Sequence, residues 1–277
     1  CPDATDIGAA GPLARSAHDL TLAMDLLASP PSVFGPMGRV PVAWRDDGRA
    51  APALRVAIVN VDAVAPVDGA VRGAIDRLAD FLRDRGLVVG TTARPVDSRQ
   101  HWRVYIKLLR SALAGHLSEA DYATALERAA ACAGSELEFP ALHWRSLTMS
   151  HREWLQVDEE RHSMRAQWAR FFEQWDLLIC LVAATDAMPH NHAGFRWELF
   201  IDVDGRPQPT TTQLFWAGYP GVVGLPATAV PLELSARGLP VGAQIVGPAF
   251  ADPVCLRFAR WLEGEYRGFV APPLALA

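Results

Sequence analysis

The sequence is poor in lysine, in paired cysteines and in the compact motifs that mark common enzyme chemistries. Lys107 is its only lysine; every other base is arginine. No basic run interleaves with aromatics, which excludes the usual footprint of a nucleic-acid binder. The formal net charge is −5. The four cysteines, Cys1, Cys132, Cys180 and Cys255, show neither CxxC spacing nor a disulfide framework. A reducing compartment, the cytoplasm, is therefore expected. Cys180 and Cys255 lie in apolar segments and read as small buried hydrophobes.

Other absences exclude further classes. The chain opens CPDATDIG, without methionine and without the basic-then-apolar pattern of a signal peptide. Residues Leu214 to Leu232 carry no charge. Pro220, Pro226 and Pro231, with Gly218, Gly221 and Gly224, exclude a continuous membrane-spanning helix there. There is no GxSxG elbow, and no SxxK, because Val104 stands three residues before Lys107. A P-loop, GxGxxG and HEXXH are also missing.

What is present is a chain of 277 residues, 50% hydrophobic and 21% charged, enough for a large core. Ser16 and Asp19 stand at capping-box spacing before a helix with Leu20, Ala23, Met24 and Leu27 on one face. This stretch reads as finished protein interior. Ser29 to Pro52 reads as a long surface connection. LRVAIVN (54–60) predicts a buried strand, and Asp68 a cap for the helix after it. That helix carries a stripe of Val71, Ala74, Ile75, Leu78 and Leu82 and ends at Gly86. LVVGTT (87–92) closes a βαβ-like unit. Residues 100–175 are helical by pattern, with a break near 134–140. DLLICLVAA (176–184) is the most convincing buried strand. ATAVPLEL and LPVGAQIV flank SARG (235–238) as a hairpin. A last helix starts with Asp252 as N-cap and Pro253 at its first position, with Val254, Cys255, Phe258 and Leu262 inside. The fold class is mixed α/β in one domain, with no internal repeat.

The residues alone offer few sites. His190 and His192 present two imidazoles without a third ligand, so no metal site is assigned; a polar surface loop explains them too. His151 and His162 lie about three helical turns apart near Asp158, and a charged helix exterior accounts for them. Asp46-Asp47 and Glu159-Glu160 read as solvated pairs, since neither sits in an apolar setting that would separate two pKa values.

Three stretches together are more specific. GPLARSAHDLTLAMDLLA (11–28) resembles a segment from the middle of amidase signature enzymes. WDLLICLVAATDAMPH (175–190) is similar to their buried strand and pocket loop. Tyr219 to Glu263 resembles their C-terminal segment, with its G-x-P strand entry, GLPVGAQIVGP strand and final helix. The resemblance runs from about Ile7 to Pro273. It implies the amidase signature fold, a mixed sheet flanked by helices, and hydrolysis of a carboxamide by a Lys, a cis-configured bridging Ser and a nucleophilic Ser. Neither zinc nor an organic cofactor is needed for that chemistry.

Family members carry those three residues in their N-terminal half, around a Gly/Ser-rich loop. The 277 residues contain no GGS triplet and no adjacent serine pair. Lys107, in YIKLL, matches no catalytic position and reads as an exposed or snorkelling lysine. No catalytic residue is assigned. Residues 1–277 are expected to be the C-terminal part of a single amidase domain, inactive alone.

Pocket roles carry over residue by residue. The family segment C-P-V-x-P-T-P-A stands here as Cys180 to Ala187: Thr185 and Ala187 match, while Leu181 and Asp186 replace prolines. Thr185 and Asp186 are candidate substrate-binding residues. An Asp186 carboxylate near the substrate would favour a basic leaving group, unless it is simply solvated. Phe215, Trp216 and Tyr219 resemble residues lining the acyl side of the pocket; plain core packing is the alternative. Gly242 and Gln244 match the family's G-x-Q, with structural roles expected for close backbone approach and a satisfied buried amide.

The implied partner is a small-molecule amide, with no nucleic acid or membrane, and a homodimer of the full-length parent is left open. Two alternatives stand beside the amidase reading: a noncatalytic scaffold or binding subunit, and a glutaminase-like subunit of an amidotransferase. The family's sheet takes strands from both halves, so the chain by itself should expose apolar faces and strand edges. Poor solubility or a molten state of the isolated chain is the expected outcome in thermal unfolding. A sharp cooperative transition in a monomer would contradict it.

Overall fold

A computed structural model describes residues 6–28 and 44–272. Part of the surface connection read over 29–52 lies outside these residues. In chain order the helices are α1 (Ala17–Leu27), α2 (Gly69–Asp84), α3 (Ser98–Ala114), α4 (Glu119–Ala131), α5 (Phe139–Leu147), α6 (His151–Gln174), α7 (Gln213–Gly218) and α8 (Asp252–Glu265). The strands are β1 (Arg55–Val59), β2 (Val88–Gly90), β3 (Leu177–Leu181), β4 (Phe200–Val203), β5 (Arg206–Pro209), β6 (Ala227–Leu234) and β7 (Pro240–Val246). Among the described residues no helix is long and apolar enough to cross a membrane.

The main sheet runs β2-β1-β3-β7-β6. β1 pairs parallel with β2 and β3, while β7 pairs antiparallel with β3 and β6. β4 and β5 form a separate antiparallel ribbon. All five residues of β3 are fully buried, as expected for a strand with neighbours on both sides and helices over it. Burying each such leucine stabilises the fold by roughly 1.5–3 kcal/mol. β6 is an edge strand of this sheet and carries a proline in its interior, Pro231, beside a register shift between Pro231 and Glu233. An edge position tolerates the missing N–H, and a bulge relieves the ladder there.

The helices form two groups. α2 and α8 lie together: Phe81 meets Trp261 at 5.8 Å and Tyr266 at 4.8 Å between ring centroids. The predicted stripe of α2 is buried throughout, and Asp68 accepts from the Ala70 N–H at 2.8 Å. Gly86, at φ 82°, ends the helix in a conformation that favours glycine. In the other group α5 and α6 each pack on α3, α4 packs on α5, and α3 meets α7 through His101 and Phe215.

Two local expectations change. α1 has its Ser16 cap, which accepts from the Asp19 N–H at 3.1 Å. Its apolar stripe is not interior, however: only Ala17 is buried, and Leu27 is 63% exposed. The helix packs chiefly on α8, where the Ala17 N–H donates to the Glu263 carboxylate at 2.8 Å. At α8 the N-cap is Ala251, and Asp252 is the first helical residue without a capping side-chain bond. Three of the four paired acids are engaged as well: Asp46 with Arg257, Asp47 with Arg49, Glu160 with Arg103.

Asp176, just before β3, joins the parallel strands at their base. Its carboxylate accepts from the Arg55 backbone N–H at 2.7 Å, from the Arg55 guanidinium at 3.1 Å and from Arg49 at 2.8 Å. Burial pushes its pKa up, but the bonds from Arg55 and Arg49 outweigh this and hold it well below the usual carboxylate range. Asp176→Ala leaves the Arg55 N–H without its acceptor. The expected loss is about 1–3 kcal/mol, read as a lower urea midpoint. An unchanged midpoint would remove Asp176 from this role.

Candidate functional site

β3 ends at Leu181, and the segment after it is fastened at one residue. The Ala184 carbonyl accepts from the Asp68 N–H at 2.9 Å, and the Ala184 N–H donates to the Gln213 side chain at 2.7 Å. The cap of α2 and the start of α7 thus hold the loop from both sides. Gln213 also donates to the Thr185 hydroxyl at 3.4 Å, and that hydroxyl donates to the Asp186 carbonyl at 2.9 Å.

Thr185 and Asp186 line a cleft of about 460 Å³ with Val182, Met188, Gln213, Val230 and Val241. That volume and the mostly apolar walls with few polar anchors suit a small molecule. A second hollow of about 570 Å³ adjoins it, sharing Thr185 and Met188 and reaching His190, His192 and Asp202. The two imidazole centroids are 6.0 Å apart. Among the described residues no group of three or more His, Cys, Asp or Glu is placed to hold a metal ion.

The Asp186 carboxylate is not a free anion. Arg237, in the turn between β6 and β7, binds it with two nitrogens, one at 3.2 Å, and also reaches the Ala187 carbonyl at 3.3 Å. This bond, ahead of burial, holds the Asp186 pKa below the ordinary carboxylate value. Thr185 carries the cleft's hydroxyl, but its proton goes to the Asp186 carbonyl and its other hydrogen-bond partner is the Gln213 amide. It lacks the arrangement that activates a nucleophile. Lys107 lies on α3 with its stem mostly covered and its ammonium 3.8 Å from Glu136, a snorkelling lysine.

The five candidate pocket residues divide. Thr185 and Asp186 border the cleft; Phe215, Trp216 and Tyr219 are fully buried and do not. The aromatics form a core layer: Tyr219 meets Trp168 at 5.5 Å, and His101 meets Phe215 at 4.8 Å and Tyr219 at 4.9 Å. Gln244 ties this layer to the sheet. Its side-chain amide donates to the Leu181 carbonyl at 2.7 Å and to the Trp216 carbonyl at 2.8 Å, the satisfied buried amide expected. A Cβ on Gly242 would meet the Val230 carbonyl at 3.0 Å, so close approach requires glycine there. Gln213 and Arg237 escape sequence reasoning. Arg237 reads only as part of the SARG turn and Gln213 stands in no motif, and both reach the cleft only through tertiary contacts.

Within the aromatic layer His101 is fully buried, with one ring nitrogen 3.1 Å from the Phe215 carbonyl and the other unpartnered. Burial pulls its pKa down to about 4 against a modest upward push from that carbonyl. The unfolded chain binds this proton at higher pH than the folded one, so folded stability should fall as pH drops from about 6.5 toward 4. His101→Gln should flatten that limb in urea titrations between pH 7 and 4. An unchanged slope would mean that His101 is not buried as a neutral ring.

The Amidase family profile matches residues 1–256. A mitochondrial glutamyl-tRNA(Gln) amidotransferase subunit of Mus musculus is 35% identical over 90 residues, 32% of this chain and 16% of that one. Fatty-acid amide hydrolase 2 of Homo sapiens is 44% identical over 64 residues, 22% of this chain and 12% of that one. Among solved structures, 6-aminohexanoate cyclic dimer hydrolase with its substrate aligns at TM-score 0.66 and 22% identity, covering 95% of this chain and 56% of that one. The corresponding glutamyl-tRNA(Gln) amidotransferase chain from Thermotoga maritima aligns at TM-score 0.65 and 15% identity, covering 96% and 56%. The chain thus spans little more than half the length of these solved relatives, and at these identities the likeness establishes the fold. With the family profile covering most of its residues, the chain belongs to the amidase family.

Proposed function

We propose that this chain forms the substrate-recognition part of an amidase that hydrolyses a carboxamide C–N bond to a carboxylic acid and ammonia or an amine. The observation that carries this is the cleft at the end of β3, bordered by Thr185 and Asp186 and held open by Gln213. Similarity to fatty-acid amide hydrolase 2 and to 6-aminohexanoate cyclic dimer hydrolase supports the reaction class.

In this reading a neutral lysine takes a proton from the nucleophilic serine through a bridging cis-serine. The serine oxygen attacks the carbonyl carbon, and backbone N–H groups stabilise the oxyanion. Collapse expels the amine with a proton, and water then releases the acid from the acyl-enzyme. In this reading the Lys/Ser/Ser set is supplied from outside residues 1–277, which is supported by the lack of a GGS triplet or adjacent serine pair in the sequence and by the place of Lys107, 3.8 Å from Glu136. The chain supplies walls and anchors. Thr185 offers a hydroxyl, the Asp186–Arg237 pair offers a neutralised polar rim, and Phe215, Trp216 and Tyr219 fix the shape from behind.

Two outcomes are expected. The purified chain should release no acid or ammonia from simple amides; serine-inhibitor-sensitive turnover by these residues alone would overturn the division of labour. In the full-length parent, Asp186→Asn should lower the kcat/KM ratio of cationic to neutral amides by roughly threefold, because it leaves the Arg237 guanidinium without its counter-charge at the cleft. Arg237→Met should raise that ratio by roughly threefold, the scale of one exposed charge pair. Equal ratios in all three proteins would remove the Asp186–Arg237 pair from substrate selection.

A further inference from the structure

The hollow of about 570 Å³ beside the cleft differs from it in chemistry. Val71, Val182, Val230 and Val241 make the cleft's walls mostly apolar. The hollow lies between the loop after β3 and the stretch Leu199 to Asp202 that opens β4, and it carries His190, Asn191, His192 and Asp202. Thr185 and Met188 border both spaces, so the two adjoin along a shared edge. The polar lining is within reach of a ligand: His190, Asn191, His192 and Asp202 are all exposed. On β4, Ile201 and Val203 are buried, which leaves the alternate residues Phe200 and Asp202 together on the outward face. Phe200 is 58% exposed there.

Counting charge around the hollow singles out one group. Arg237 borders the hollow, but Asp186, which borders the cleft, holds its guanidinium with two bonds. Asp202 has no such balance. Among the described residues its carboxylate forms no ion pair, and its one hydrogen bond comes from the Gly205 N–H to Oδ1 at 3.0 Å. The ribbon that carries it is anchored, because the neighbouring Asp204 carboxylate accepts from the Gly69 N–H of α2 at 2.8 Å. His190 and His192, 6.0 Å apart between ring centroids, make no hydrogen bond to the described residues. A neutral imidazole offers one bare nitrogen as an acceptor. The hollow thus presents an unbalanced carboxylate, further acceptors and an open ring face. That set suits a primary ammonium, which has three N–H donors and is drawn to both a carboxylate and an aromatic face. An anion would meet Asp202 with no unbalanced cation beside it.

We propose that this hollow binds the ammonium group of an amine-bearing ligand, with Asp202 as its counter-charge and Phe200 beside it, while the ligand's apolar chain passes Met188 into the Thr185 cleft. The basic group that the sequence assigns to Asp186 is read instead by Asp202, one hollow further on. That the amine belongs to the substrate rests on the amidase reading of the cleft; that the hollow binds an amine does not.

The probe is n-pentylammonium chloride, titrated into the purified protein by calorimetry at pH 8, where an unperturbed imidazole is neutral. 1-Pentanol is the uncharged control, pentanoate the anionic one, and methylammonium carries the charge without the chain. Pentylammonium should bind at least about threefold more tightly than each of the three. Asp202→Asn should weaken pentylammonium by about three- to tenfold and leave 1-pentanol unchanged, since a charge lining a concave site acts more strongly than one on a flat surface. The asparagine keeps an oxygen for the Gly205 N–H, so the turn and the melting temperature should hold. In the full-length parent, Asp202→Asn should lower kcat/KM for amides with a terminal ammonium, relative to uncharged analogues of the same length, by a similar factor. Amine binding that depends on Asp202 upholds the site even where the parent hydrolyses no amide, a result that overturns the amidase reading alone. Pentanol or pentanoate binding as tightly as pentylammonium, or pentylammonium affinity unchanged in Asp202→Asn, overturns the site whatever the parent hydrolyses.

Discussion

The pairing of β3 on both its edges is the constraint on which the rest of this structure depends. One edge runs parallel to β1, the other antiparallel to β7. The strand is therefore where the βαβ-like half of the sheet meets the hairpin half. Leu177 to Leu181 have no exposed surface, so the strand admits no polar side chain. Polar groups collect at its ends instead. Asp176 gathers Arg49 and Arg55 at one end, and at the other Gln244 and Gln213 satisfy the backbone around Leu181 and Ala184. The cleft exists because the chain leaves the sheet at Leu181 and is held at Ala184 before it can pack down.

That arrangement explains a division of polarity. The cleft face carries few polar groups, each with a partner. The aromatic layer behind it keeps several without one: the Tyr219 hydroxyl, the Trp216 and Trp168 indole nitrogens and one nitrogen of His101. Each such buried group costs about 1–3 kcal/mol when left unmade. Large apolar area offsets it: Trp168, Trp216, Tyr219 and Phe215 are among the largest fully buried side chains. The layer is thus stabilised by area and ring packing, with hydrogen bonding secondary. Asp186 shows the opposite balance, a mostly covered carboxylate kept charged by one exposed arginine.

The sheet and most helices were legible in the sequence because their signals are local. The β3 run, the α2 stripe and the SARG turn state their own geometry through apolar spacing and a glycine at φ 75°. Gly242 and Gln244 were legible as structural residues through the family-like strand, and Thr185 and Asp186 lie at the cleft where the family-like loop suggests. What was not legible depends on contacts distant in sequence. Arg237 lies 51 residues from Asp186 and Gln213 lies 29 from Ala184, so neither pairing leaves a local trace. Phe215, Trp216 and Tyr219 are apolar in a way that fits a pocket wall or a core equally; only burial separates the two. The α1 stripe has interior spacing, yet α8 covers only part of it.

The measurement that bears most directly on this account is a crystal structure of the full-length protein with a carboxamide-derived inhibitor bound. The ligand should contact Thr185, the Asp186–Arg237 pair and Gln213, with Phe215, Trp216 and Tyr219 buried behind the wall and untouched. A ligand seated away from the end of β3, with Thr185 to Met188 outside contact distance, would contradict the assignment of the cleft.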